Sequence, residues 1–305
     1  MNFHSHGKLL ISCEYLVLKG ATALATPVNF GQSIEITDDF DSEFISWESY
    51  ENNLCWFKAQ FDTTFFQIIK ASNLEVAERL LSWLKAADKL SPGFLGKQKF
   101  KKVVVKADFN LSWGLGSSSS LLSDIAWWAE VDQFLLHKLV SKGSGYDVVC
   151  ARANGPVLFT RKDEDYSVEK VDFFPAFANQ IYFIYLGRKQ DSSLSVDAFL
   201  EEKSSFAKEI ENVSELSNRI ASAKSIDEFE MGIKEHEEII SNLLHRKRIK
   251  EERFSDLKGE IKSLGAWGGD FAMLTWHDTL KELKKYLATK NIDTIFTFKE
   301  IIKTN

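Results

Sequence analysis

Two glycines and four serines stand together in "WGLGSSSS" (Trp113–Ser120), after a β-like run and before an apolar helix. Glycine lets the backbone turn at positive φ and come close to a ligand. The first-turn amides of a following helix have no partner within it, and the helix dipole favours an anion there. Serine hydroxyls would add donors to a phosphate and an oxygen ligand for Mg²⁺. A flexible linker, or a βα loop with a serine cap, uses the same residue types, so both readings stand on this stretch alone. Two other phosphate-binding patterns fail on the residues. A Walker loop closes on Gly-Lys-Ser/Thr, and no lysine is present. A dinucleotide fingerprint needs glycine where Ser119 stands and an acid at the end of the next strand, whereas a helix with Glu130 and Asp132 follows.

Three further stretches carry groups suited to the same chemistry. "GSGYD" (Gly143–Asp147) sets a carboxylate after a flexible turn, where it acts as a helix cap or as a base. "SLGAWGGDFAMLTW" (Ser263–Trp276) repeats the glycine pattern through Gly265, Gly268 and Gly269, which permits close approach to a ligand or a tight helix-to-strand connection. "HGKLL" (His6–Leu10) puts Lys8 at the mouth of the first strand, either as a cation for phosphate or as a surface lysine. His4 and His6 read as solvated residues near the terminus, and no HExxH is present.

The elements that would position these groups follow from periodicity. "KLLISCEYLVL" (Lys8–Leu18) reads as strand-turn-strand, and the alternation around Ile34 and Ile36 makes Val28–Asp38 a half-buried strand. Leu74–Leu90 places Val76, Leu80, Leu81 and Leu84 on one helical stripe, ended by Ser91–Gly93. Lys101–Phe109 is a strand, Leu121–Val140 a single apolar helix, and Gln180–Gly187 a buried strand. From about Val196 to Leu264, charged helix-favouring stretches read as two or three amphipathic helices, with "HRKRIK" (His245–Lys250) on a solvated face. This change of composition puts a domain boundary near 165–180.

The 305 residues suffice for two domains. A net charge of −6 lacks the basic face that nucleic acid requires, and it disfavours an anionic membrane surface. Cys13, Cys55 and Cys150 are too scattered for a disulfide framework or a zinc site. With no signal-peptide pattern and no run of about 20 apolar residues, the expectation is a cytoplasmic protein with no membrane and no nucleic-acid partner.

Taken in order, "GKLLISCEYLVLKG", "GLGSSSS", "GSGYD", "YLGRKQDSSLSV" and "GAWGGDFAM" resemble the successive motifs of the GHMP kinases, over about residues 7 to 276. The resemblance implies a two-domain α+β fold. Residues 1–170 would form an N-terminal mixed α/β domain with the phosphate loop, and 171–305 a ferredoxin-like C-terminal domain on the acceptor side. It implies ATP and Mg²⁺, with Gly114, Leu115, Gly116, Ser117, Ser118 and Ser119 around the phosphates and Ser118 approaching the metal. Asp147 matches the aspartate that takes or orients the acceptor's hydroxyl, and Lys8 the lysine that accompanies it. Arg188, Lys189 and Ser192 suit an anionic acceptor, with Gly268 and Gly269 shaping that end of the cleft.

This sequence departs from the pattern at several points. The usual proline before the loop is absent and Trp113 takes a small-residue position. Ser119 and Ser120 replace alanines, and Trp267 interrupts the third glycine run. At the distance expected for an acidic Mg²⁺ ligand the residues are apolar, leaving Glu130 or Asp132 as substitutes. "CEYLVL" and "GGD" look most like the phosphomevalonate kinase branch, so mevalonate or phosphomevalonate is the expected acceptor. Homoserine or a sugar, and a non-catalytic nucleotide-binding protein, are the alternatives. A decarboxylase of the same superfamily generally lacks the lysine found here as Lys8. Monomer and homodimer both stay open.

Overall fold

The computed structural model describes residues 1–163, 165–187, 199, 206–265, 267 and 271–304. The chain divides into two compact units. The first comprises Met1–Gly7, Phe30–Leu111 and Leu115–Arg152; the second comprises Lys8–Asn29, Ser112–Gly114 and Ala153–Asn305.

In the first unit the strands are β3 (Ile45–Glu51), β4 (Leu54–Asp62), β5 (Gln67–Ala71), β6 (Lys101–Ala107) and the second half of β2 (Ala23–Asp38), in the order β5-β4-β3-β6-β2. The sheet is mixed: β3 runs parallel to β6, and the other pairings along this order are antiparallel. β1 (Asn2–Leu10) pairs with β2. Alternation directs Ile34, Ile36, Trp47, Phe57, Phe61, Val103 and Val105 to one buried face. That face is covered by α1 (Leu74–Leu90) through Ala77, Leu80, Leu81 and Leu84, and by α2 (Ser117–Trp128) through Leu122, Ile125 and Ala126. The α1 stripe and bounds are those the sequence predicts, with Val76 only half-buried; Asn73 caps its start by accepting from the Val76 amide.

The single helix expected over Leu121–Val140 is instead two, α2 and α3 (Gln133–Val140). Glu130 turns the chain at φ 55° and the Asp132 carboxylate accepts from the Leu135 amide at 2.9 Å, capping α3. Apolar content carried the periodicity across the break, while the Asp cap decided the structure. The capped loop uses one of the two carboxylates considered above as a metal ligand.

In the second unit, the first half of β2 pairs with β7 (Val157–Lys162), and β7 with β8 (Asp165–Lys170). A separate antiparallel sheet has the order β10-β11-β9-β12, with β9 at Ile181–Tyr185, β10 at Ile261–Leu264, β11 at Phe271–Thr275 and β12 at Ile295–Thr297. Between β9 and β10 lie α5 (Ala207–Ser222), α6 (Ile226–Leu244) and α7 (Ile249–Arg253); α8 (Leu280–Thr289) joins β11 to β12, and α9 (Phe298–Ile301) follows. Taken in chain order, the spatial sequence is second-third-first-fourth with helical crossovers, which is the ferredoxin-like arrangement. The α+β fold class expected from the sequence is therefore observed.

The strand-turn-strand reading of Lys8–Leu18 needs correction. β1 ends at Leu10, and Leu16–Lys19 forms a single 3₁₀ turn. Leu16 and Val17 are apolar because they are buried, not because they are extended. Ser263–Trp276 likewise joins two strands, β10 and β11, and not a helix to a strand. His4 and His6 lie within β1 with ring centroids 5.1 Å apart, so neither belongs to a loose terminus.

Candidate active site

The serine run is the start of a helix and not a linker. Gly114 (φ 70°) and Gly116 (φ 90°) both adopt the left-handed conformation, and Gly116 is the N-cap of α2. Lacking a side chain, Gly116 leaves the amides of the first turn, Ser117 to Ser119, without a capping side-chain oxygen. The hydroxyls divide by burial. Ser119 and Ser120 are buried and donate to the Gly116 carbonyl at 2.9 and 3.0 Å. Ser118 is exposed and Ser117 half-buried. Gln32 on β2 donates to Ser117 O and to Ser120 Oγ, which ties the helix start to the sheet. Leu115, fully buried, anchors the loop from below. The two serines that replace alanines thus brace the turn, and the exposed hydroxyl is that of Ser118.

Asp147 lies in the first turn of α4 (Tyr146–Ala151), whose N-cap is Gly145 at φ 87°. A Cβ on Gly145 would meet Phe134 Cε2 at 2.4 Å, so only glycine lets this turn pack on α3. The Asp147 side chain is part-exposed, and its Oδ1 lies 3.8 Å from Nε2 of the buried His137 on α3. Sequence reading missed this histidine, ten residues upstream and on the apolar helix; its signal was one imidazole in an otherwise aliphatic run.

Lys8 and the beginning of the loop belong to the second unit. Lys8 Nζ donates to the Gly114 carbonyl at 3.0 Å, which sets a cation beside the first glycine. Trp113 packs edge-on against Phe296 and Phe271, with centroids at 5.3 and 6.2 Å, and Tyr185 Oη donates to the Ser112 carbonyl at 3.2 Å. The bulky residue therefore serves as a wedge that fixes the approach to the loop.

At the third glycine run, Gly265 has φ 74° and open space around a notional Cβ. Trp267 is buried, its amide donating to Tyr15 Oη at 3.4 Å and its carbonyl accepting from Arg246 at 2.9 Å. Arg246 belongs to the basic cluster expected on a solvated helix face. The structure places that cluster at the end of α6, where His245 turns at φ 51°, and ahead of α7. Two other members are also engaged: Lys250 holds Glu260 and the Gly259 carbonyl, and Arg248 pairs with Glu251. Arg188, Lys189, Ser192, Gly268 and Gly269 lie outside the described residues.

No family model matches the sequence, and no curated protein matches it. Solved structures do. Phosphomevalonate kinase of Streptococcus pneumoniae, in complex with phosphomevalonate and AMPPNP, aligns with TM-score 0.69 and 19% identity over 97% of this chain and 99% of its own. Methanococcus jannaschii mevalonate kinase gives 0.69 at 16% identity over 100% and 98%. The chain has the GHMP-kinase fold. Lactococcus lactis galactokinase, complexed with galactose, aligns at 0.65 and 12% over 99% and 92%, so the likeness spans kinases of different acceptors.

Within this GHMP-kinase fold, the residues suit a metal that arrives on a nucleotide. Mg²⁺ keeps most of its shell as water and phosphate oxygen and takes one or two oxygens from protein. The exposed Ser118 hydroxyl at the uncapped helix start meets that need. Among the described residues, no three His, Cys, Asp or Glu side chains converge on one point. Asp132 is committed to capping α3 and Glu130 is exposed at the α2–α3 turn. Among the described residues no helix is long and apolar enough to cross a membrane.

Proposed function

We propose that the chain is an ATP-dependent phosphotransferase acting on a small alcohol, with mevalonate or phosphomevalonate as acceptor. The observation that carries this reading is the start of α2, where left-handed Gly116 leaves the first-turn amides without a side-chain cap; Lys8 Nζ separately donates to the Gly114 carbonyl. Such a turn is built to receive an anion. The motif order and the fold shared with kinases of these acceptors support the same reading.

In this reading the amides of Ser117 to Ser119 bind the phosphates, and Lys8 offsets charge as the γ-phosphoryl group leaves ADP. Phosphoryl transfer relies on positioning and charge neutralisation more than on covalent help. The bond from the γ-phosphorus to the bridging oxygen breaks, and a new bond forms to the acceptor oxygen. Asp147 accepts the hydroxyl proton of the acceptor. Mg²⁺, when bound with the nucleotide, neutralises phosphate charge, with the Ser118 hydroxyl as its protein oxygen. Arg188, Lys189 and Ser192 would face the acceptor's anionic group, with Gly268 and Gly269 shaping its pocket. The functional division proposed is 1–170 for the nucleotide side and 171–305 for the acceptor side, in a cytoplasmic enzyme.

The test is Asp147→Ala. ADP release on the true acceptor should fall by at least about a hundredfold, with nucleotide affinity little changed. Turnover near that of the wild type would remove Asp147 from the role of base.

A further inference from the structure

Among the described residues of the second unit, one lysine is fully buried, Lys262 on β10. Its Nζ donates to Glu14 Oε1 at 2.5 Å, to Ser263 O at 3.0 Å and to Glu237 Oε1 at 3.4 Å. Both glutamates are 1% exposed. The three residues come from three places in the chain: the turn after β1, helix α6 and strand β10. Burial pushes the Glu237 carboxyl up to about 8, opposed by the charge of Lys262. Burial also raises Glu14, opposed by the Lys262 ammonium and by the backbone amides of Glu14 and Gly265. His236, driven well down by burial and by Lys262, is neutral and accepts from the Cys13 amide at 2.8 Å.

The turn that carries Glu14 is strained. Cys13 has φ 69°, Tyr15 has φ 64° and ψ −50°, and the Leu16 amide donates to Glu14 O at 2.7 Å. This is a γ-turn of the rare sign centred on an aromatic residue. A non-glycine residue keeps such a conformation only where its surroundings over-determine it. Here they do, through Lys262 on Glu14, His236 on Cys13 and the Trp267 amide on Tyr15. A buried ion pair is a poor source of stability compared with apolar packing of the same volume. A strained turn and a buried ion pair in one place therefore call for a geometric explanation.

We infer that Lys262 is a positioning residue whose ammonium clamps the strained Cys13–Leu16 turn to the strand entering Gly265, so that the end of the Lys8 strand and the start of the third glycine run move as one piece. For its kinetic consequence this rests on the phosphotransfer reading; for the clamp itself it does not.

The experiment compares Lys262→Met, Glu14→Gln and the double variant with the wild type. Lys262→Met alone leaves the Glu14 carboxyl buried without its cation and lowers the unfolding temperature; the double variant removes both charges and recovers much of that loss. In the recovered double variant the clamp predicts kcat for ADP release down by at least about tenfold, with the affinity for an ATP analogue within about twofold. A second readout needs no activity. An aryl disulfide reagent should label one thiol of the native wild type, exposed Cys55, and also Cys13 in the double variant. Wild-type kcat with only Cys55 labelled, at restored stability, would overturn the clamp and leave a purely structural pair. Should the double variant fail to fold, Lys262→Arg replaces it, since a planar fork cannot reproduce a compact ammonium between two carboxyls; wild-type labelling and kcat there would equally overturn the proposal. A wild type that turns over no acceptor refutes the kinase reading, and thiol labelling alone then decides the clamp.

Discussion

Asp124, on the buried side of α2, accepts from Ser5 Oγ at 2.6 Å. Burial pushes its carboxyl up to about 7, opposed by the Ser5 hydrogen bond and the charge of Arg152. A folded-state value above the ordinary 3.8 means the protonated acid is favoured in the fold. The stability it contributes is complete below 3.8 and is lost as pH rises through about 7. Asp124→Asn should therefore flatten the decline of the unfolding temperature over that window, where the wild type loses at most about 1.4 kcal/mol per pH unit from this group. Parallel curves for the two proteins would show that the carboxyl is not held protonated. At this scale the sequence offers a candidate where a residue sits inside a short motif, as Lys8 and Asp147 do. It was silent where the partner lies far along the chain. Lys262, between Ile261 and Ser263, reads in sequence like any half-exposed strand lysine, and the carboxylates that contact it stand 248 and 25 residues away.

Among the elements, the turns decide more than the helices. Gly145 combines φ 87° with a Cβ position 2.4 Å from Phe134. Gly145→Ala should cost about 1–3 kcal/mol, from the left-handed strain together with the clash. It should also displace the first turn of α4 and lower turnover more than nucleotide binding. Denaturant unfolding and steady-state kinetics check the two parts, and a variant as stable and active as the wild type would contradict the packing described. Long amphipathic α1 was legible to its bounds because its stripe and its Asn73 cap agree. The α2–α3 break was not, because apolar residues on both sides of Asp132 carried the pattern through the cap. The serine run was ambiguous in sequence for a related reason. Helix starts and linkers draw on the same small residues, and only the left-handed φ of Gly116 separates them.

For the molecule as a whole, the fold class was legible through the resemblance carried by the ordered motifs, and the ferredoxin-like strand order of the second unit matches it. Harder to read was the membership of the first strands. The segment Lys8–Asn29 belongs with the C-terminal residues, an association made by pairing of β2 with β7 and not by proximity in sequence. The acceptor is the least legible feature, since the residues proposed to face it sit in "YLGRKQDSS", whose charges suit any anionic alcohol. The reaction proposed is phosphoryl transfer from ATP to such an alcohol. It is tested most directly by ADP release from the purified chain with Mg²⁺ and ATP, over mevalonate, phosphomevalonate, homoserine and sugars, with Asp147→Ala as control. Acceptor-dependent ADP release with mevalonate or phosphomevalonate, lost in the control, is the predicted result. ATP binding without ADP release on any of these alcohols would rule out phosphoryl transfer to them.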